Sequence, residues 1–114
     1  MLEKALLVGL ETHKSGRVEV AESMDELAML VASAGGEVAD RATQKLDTPV
    51  SPTYIGSGKA AELALLAKAK KADTVIFDDE LSPAQARNLE VIFSCKVLDR
   101  TQLILDIFAQ RAKS

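Results

Sequence analysis

Six residues near the middle of the chain, Tyr54-Ile55-Gly56-Ser57-Gly58-Lys59, have the types and spacing to receive a phosphate. Glycine lets a backbone approach a ligand closely, a helix N-terminus offers unpaired N–H groups and partial positive charge, and lysine adds a full charge. The run rich in Ala and Leu that follows supplies the helix. The plainer alternative is a tight turn in which Ser57 or Gly58 merely starts that helix.

The loop is not a Walker A motif. Counting back from Gly58-Lys59, the first glycine of that motif falls on Thr53 and its magnesium-binding hydroxyl on Ala60. A dinucleotide fingerprint fits by spacing, through Gly56, Gly58 and Ala61, with Asp78 about twenty residues further on. That fingerprint must follow a buried strand, however, and Pro49 and Pro52 stand where the strand would run. Too little chain follows to build a second mononucleotide half.

A second set of chemical groups is acidic: Glu11, Asp78, Asp79, Glu80 and Asp99 each fall at the end of an apolar run. Gathered at one sheet edge they could hold magnesium, or they could simply favour the N-termini of the helices that follow. Phosphate-receiver domains also end their third strand on an aspartate. They need an acidic pair after the first strand, where this chain has Leu10-Glu11, and a fifth strand with a lysine. Asp99 and Arg100 read as a structural pair holding the last turn. The only histidine, His13, and the only cysteine, Cys95, have no partners in ligand or catalytic spacing, so neither a metal site nor a nucleophilic enzyme is expected.

The elements that must position these groups follow from apolar patterning. Ala5 to Leu10 and Thr74 to Phe77 are short continuous apolar runs, the pattern of strands buried on both faces. Ser23-Met24-Asp25-Glu26 reads as a capping box that starts a helix, which Gly35-Gly36 ends. Glu37 to Gln44 alternates loosely like an edge strand, and Lys45 to Thr53 is a loop. Lys59 to Lys71 is helical, Ser82-Pro83 opens another helix, and Lys96-Val97-Leu98 is a last strand before a final helix over 101–112. Strands alternating with helices predict an α/β fold: one doubly wound domain, its four-stranded, mainly parallel sheet in order 2-1-3-4, helices on both faces.

With 114 residues the chain is long enough for one domain and its core. The apolar content of 47% with only 4% aromatics makes that core aliphatic, and a formal charge of -3 argues against a dedicated nucleic-acid binder. No apolar run reaches membrane-span length and nothing resembles a signal peptide, so a cytoplasmic protein with no membrane partner is expected. The sequence sets no oligomeric state. The final helix carries more apolar residues than one sheet face needs. Ile104, Ile107 and Phe108, with Arg111 beyond them, are therefore candidates for packing against a further domain.

Three blocks, Tyr54 to Lys59, Val75 to Glu90 and Val97 to Ala112, together resemble the N-terminal domain of the HflX family of ribosome-associated GTPases, and the likeness runs over nearly the whole chain. The resemblance implies that residues 1–114 are an α/β domain followed, in the full protein, by a helical linker and a separate G domain. GTP and magnesium would belong to that G domain, with no cofactor in this fragment and no catalytic residue in it. The large ribosomal subunit, rRNA and protein, would be the partner, together with the protein's own linker and G domain. Tyr54, Gly56, Ser57, Gly58 and Lys59 would then contact RNA phosphates or, as an alternative, an ATP or GTP bound by this domain itself. Asp78, Asp79 and Asp99 would form an acidic cluster beside them.

Overall fold

The computed structural model describes the backbone of residues 4–112 and the side chains of residues 4–110. Eight elements alternate: β1 (Lys4–Glu11), α1 (Arg17–Ser33), β2 (Glu37–Lys45), α2 (Ser57–Ala69), β3 (Thr74–Phe77), α3 (Pro83–Phe93), β4 (Lys96–Asp99) and α4 (Arg100–Ala112). The strands form one four-stranded sheet in order β2-β1-β3-β4 with every pairing parallel, as the sequence predicts.

Because successive side chains of a strand point to opposite faces, the two central strands feed two cores. Leu6, Val8, Val75 and Phe77 pack under α2 and α3 with Leu63, Ala67, Leu89 and Phe93. Leu7 and Ile76 pack under α1 and α4 with Met24, Leu27, Val31, Leu103 and Ile107. Crossovers to one side of β1 and β3 use one face and crossovers to the other side use the opposite face, which makes the sheet doubly wound. The chain therefore leaves the carboxyl ends of β1 and β3 in opposite directions, and a crevice opens between those ends.

Helix α1 begins at Arg17, not at Ser23. Gly16 is its extended N-cap, without a side-chain cap bond. Val20, Met24, Leu27 and Val31 form one buried stripe, and burying Val20 requires the helix to extend back past the Ser-x-x-Glu pattern. Ser23 and Glu26 consequently lie inside the helix and serve other partners. The same face explains Gly9 on β1: a Cβ there would come within 2.9 Å of Met24 Sδ. At the other end Gly35 takes the left-handed conformation expected of it, at φ +80°.

Helix α2 starts at Ser57 with Gly56 as N-cap, two residues ahead of the expected Lys59. Helix α3 starts as its sequence suggests. Ser82 Oγ accepts from the Gln85 N–H, the Gln85 side chain accepts from the Ser82 N–H, and Pro83 occupies the first helical position. No helix among the described residues is long and apolar enough to cross a membrane.

Candidate functional site

The loop from Leu46 to Gly56 leaves β2, crosses the carboxyl end of the sheet and delivers the chain to the start of α2. Long loops are usually loose, but this one is tied down from three sides. Gln85 Nε2 on α3 donates to the Val50 and Ser51 carbonyls, and Asn88 Nδ2 donates to the Pro52 carbonyl at 3.0 Å. On the β2 side, Gln44 Oε1 accepts from the Gly56 N–H at 2.9 Å. Within the loop, Val50 and Tyr54 make an antiparallel bridge and the buried Thr53 hydroxyl donates to the Ile55 carbonyl.

Tyr54 is the pivot of this strap. Its backbone is left-handed, φ 66°, a conformation that costs a non-glycine residue about 1–2 kcal/mol. Its ring is buried edge-on against Phe77, with centroids 6.0 Å apart. Its hydroxyl donates to Asp79 Oδ2. Burial first, then the hydrogen bond to Asp79 and the charges of Asp79 and Asp78, push the phenol well above its ordinary range, so Tyr54 is a neutral donor here.

The glycine loop itself presents a helix start. The amides of Ser57, Gly58 and Lys59 lie in the first turn, outside the helix's own ladder of bonds. Ser57 and Gly58 are exposed, and nothing lies within 4 Å of where a Gly58 Cβ would stand. The Lys59 ammonium lies 2.9 Å from Glu62 Oε2, one turn along the same helix. Such surface pairs are worth less than about 1 kcal/mol, so the lysine can exchange Glu62 for another anion.

The acidic cluster is not an open set of ligands. Asp78 Oδ1 accepts from Arg100 Nε at 3.0 Å and Nη2 at 2.7 Å. Asp79 accepts from Tyr54. Asp99 uses one oxygen for the Leu81 N–H and the other for the Gln102 N–H. Thus Arg100 pairs with Asp78 rather than with its neighbour Asp99, because a β4 terminus beside β3 brings a residue 22 positions away closer than the adjacent side chain. Arg100 Nη2 also donates to the carbonyl and hydroxyl of Ser23, and Nη1 lies 3.5 Å from Glu26. Glu11 lies 3.8 Å from Lys45. Among the described residues no group of three or more His, Cys, Asp or Glu side chains is placed to hold a metal ion.

A cavity of about 260 Å³ fills the crevice between β1 and β3, lined by Leu10, Ser15, Glu19, Ser23, Asp78 and Asp79 among others. His13 closes the neighbouring loop, its Nδ1 3.0 Å from the Asp47 carbonyl. Cys95 is half-buried, and burial together with the charges of Asp73 and Glu90 raises its thiol above the ordinary range, which disfavours the thiolate.

On α4, Leu103 and Ile107 face the sheet, and Ile104 is half-buried. The apolar surplus is carried by Leu105 and Phe108, which are 55% and 64% exposed. Arg111 lies outside the residues whose side chains are described. The residues that sequence reasoning missed are Gln44, Gln85 and Asn88, the tethers of the strap. Each is an ordinary helix or strand residue by local pattern, and only the Ser82 capping box hinted at Gln85.

Residues 21–109 match the protein family described as GTP-binding GTPase N-terminal. The chain is 46% identical over 112 residues to the GTPase HflX of Flavobacterium psychrophilum, covering 98% of this chain and 27% of that protein. It is 50% identical over 93 residues to the GTPase HflX of Escherichia coli K12, covering 82% of this chain and 22% of the relative. The chain thus spans about a quarter of the length of the curated relatives it matches. A solved complex of SsGBP with GDP has the same fold, with a TM-score of 0.72 and 25% identity over 100% of this chain and 31% of that one.

Proposed function

Because the chain belongs to the GTP-binding GTPase N-terminal family, the N-terminal part of HflX GTPases, we propose that it is a non-catalytic docking and regulatory domain. It works in the cytoplasm within an HflX-like GTP-binding protein, meeting the large ribosomal subunit and regulating the G domain during ribosome splitting or rescue. Residues 1–114 act as one unit, with α4 leading toward a linker. GTP hydrolysis and its magnesium belong to the G domain. The described residues do not fit that chemistry: they have no Walker A spacing, and Asp78, Asp79 and Asp99 already serve Arg100, Tyr54 and two backbone amides.

The observation that carries the reading is the presentation of Ser57, Gly58 and Lys59 at a helix start by a strap tied to α3, β2 and Asp79. A rigid helix N-terminus with an adjacent lysine suits phosphate oxygens of structured RNA, where contacts position rather than read sequence. Lys59→Ala in the full-length protein is expected to weaken co-sedimentation with large ribosomal subunits, most clearly at low salt. Binding equal to wild type would remove the loop from the interface.

The alternative is nucleotide binding by this domain alone, with Gly56 to Lys59 on the phosphates. Titration of the 114-residue chain with ATP or GTP separates the two readings: amide shifts centred on Gly56 to Lys59 favour the nucleotide, and unchanged spectra at millimolar nucleotide favour docking. The exposed Leu105 and Phe108, beside Ile104, support contact of α4 with the linker and G domain. Under that reading Phe108→Asp disturbs GTPase regulation while leaving this domain folded.

A further inference from the structure

The two carboxylates that follow β3 are consecutive in sequence and grip different parts of the molecule. Asp78 holds Arg100, the first residue of α4. Asp79 holds Tyr54, the pivot of the strap. A third bond brackets the same short segment, since Asp99, just ahead of α4, accepts from the Leu81 N–H and from the Gln102 N–H. Residues 78–81 are therefore fastened to the start of α4 at both ends and to the strap in the middle.

We infer that Asp78 and Asp79 couple Tyr54 of the strap to helix α4, so that withdrawing the Tyr54 hydroxyl from Asp79 loosens the anchorage of α4. A coupling needs an element with two arrangements, and Tyr54 supplies it. Its left-handed backbone is disfavoured for a tyrosine and persists because the Asp79 bond, the bridge to Val50 and the Phe77 contact hold it there. Release of the hydroxyl leaves the left-handed Tyr54 held only by the Val50 bridge and the Phe77 contact, and frees Asp79. The neighbouring Asp78 cannot follow freely, because its N–H donates to the Val8 carbonyl at 2.9 Å and its carboxylate is 8% exposed beneath Arg100. The disturbance is passed to the Arg100 pair, and Arg100 is also what fastens α4 to Ser23 of α1.

This coupling is a property of the domain itself and does not depend on what the strap contacts, so failure of ribosome docking would leave it standing. Amide hydrogen exchange on the 114-residue chain tests it. Rates are read relative to Leu7 and Val75 in the central strands, so that a uniform loss of stability cancels. Tyr54→Phe is expected to accelerate exchange at Gln102 and in the second turn of α4 by about fivefold or more. In the other direction, Arg100→Lys keeps the charge but loses the planar fork, and is expected to accelerate exchange at Tyr54 and Gly56. Asn88→Ala unties the strap at Pro52 without touching either carboxylate, and should leave the α4 amides at their wild-type ratio. Effects of Tyr54→Phe confined to residues 50–56 would overturn the coupling. So would an equal response of α4 to Asn88→Ala.

Discussion

Arg100 reaches across 22 positions of sequence to place Nε and Nη2 on one oxygen of Asp78, at 3.0 and 2.7 Å. The carboxylate is 8% exposed and the guanidinium side chain 24%. This single side chain joins the end of β3, the middle of α1 through Ser23, and the first turn of α4. It stands where the crevice between β1 and β3 meets the helix that leads out of the domain.

Removing Arg100 strands a buried carboxylate, which costs far more than the net worth of the pair. Arg100→Ala is expected to lower unfolding stability by about 3 kcal/mol. Replacing both partners with apolar residues, Arg100→Met with Asp78→Leu, should cost less than Arg100→Ala alone. Urea unfolding of the wild type and the two variants measures this. A double variant less stable than the single one would mean that the pair itself stabilises the fold.

Tyr54→Phe keeps the ring against Phe77 and removes only the bond to Asp79. A hydrogen bond to a charged acceptor is worth about 1.5 kcal/mol or somewhat more. The expected outcome is a loss of that size in unfolding free energy, seen as a lower urea midpoint with an unchanged slope, because the denatured state and the buried area barely change. A neutral substitution would show that the hydroxyl finds an equal partner in water.

Much of the fold was legible because it is written locally. The apolar run Thr74 to Phe77 and the Ser82-Pro83 start need no knowledge of the rest of the chain, and alternation of strands and helices gives the sheet order. The start of α1 was not legible, since Ser-x-x-Glu at Ser23 imitates a helix start inside a helix that burial of Val20 extends. The surplus of apolar residues on α4 was visible, but its direction was not: the i, i+4 spacing of Leu103 and Ile107 marks the inner face and leaves Phe108 outside. The six residues of the glycine loop could be named from sequence, whereas the contacts that fix them could not. Asn88 lies 36 positions from Pro52, and Arg100 lies 77 from Ser23. No local pattern carries such pairings.

The α3 start offers a contained test of local stabilisation. Ser82→Ala removes the acceptor for the Gln85 N–H, and loss of an N-cap costs about 1 kcal/mol. For a domain of this size that corresponds to a fall of about 4 °C in Tm. The loss should be larger than for an exposed serine such as Ser51. It should also raise exchange rates at Val50 and Ser51 only modestly, because Gln85 still reaches their carbonyls through Nε2.

Tyr54 is the only tyrosine in the chain, so its ionisation can be followed directly by absorbance near 295 nm. Its folded-state pKa lies above the ordinary value of 10.0, chiefly because the phenol is buried and secondarily because Asp79 accepts its proton bond. A group whose folded pKa is raised favours folding while it stays protonated. Its contribution is therefore fully present below pH 10 and is lost as the pH climbs beyond that value. The urea-unfolded chain should titrate near pH 10, while the folded chain should show almost no tyrosinate there and acquire it only as it unfolds in stronger alkali. Asp79→Asn should lower the folded-state pKa without returning it to the ordinary value, because burial against Phe77 remains. A folded chain that titrates near pH 10 would place the phenol in water and open the strap at its pivot.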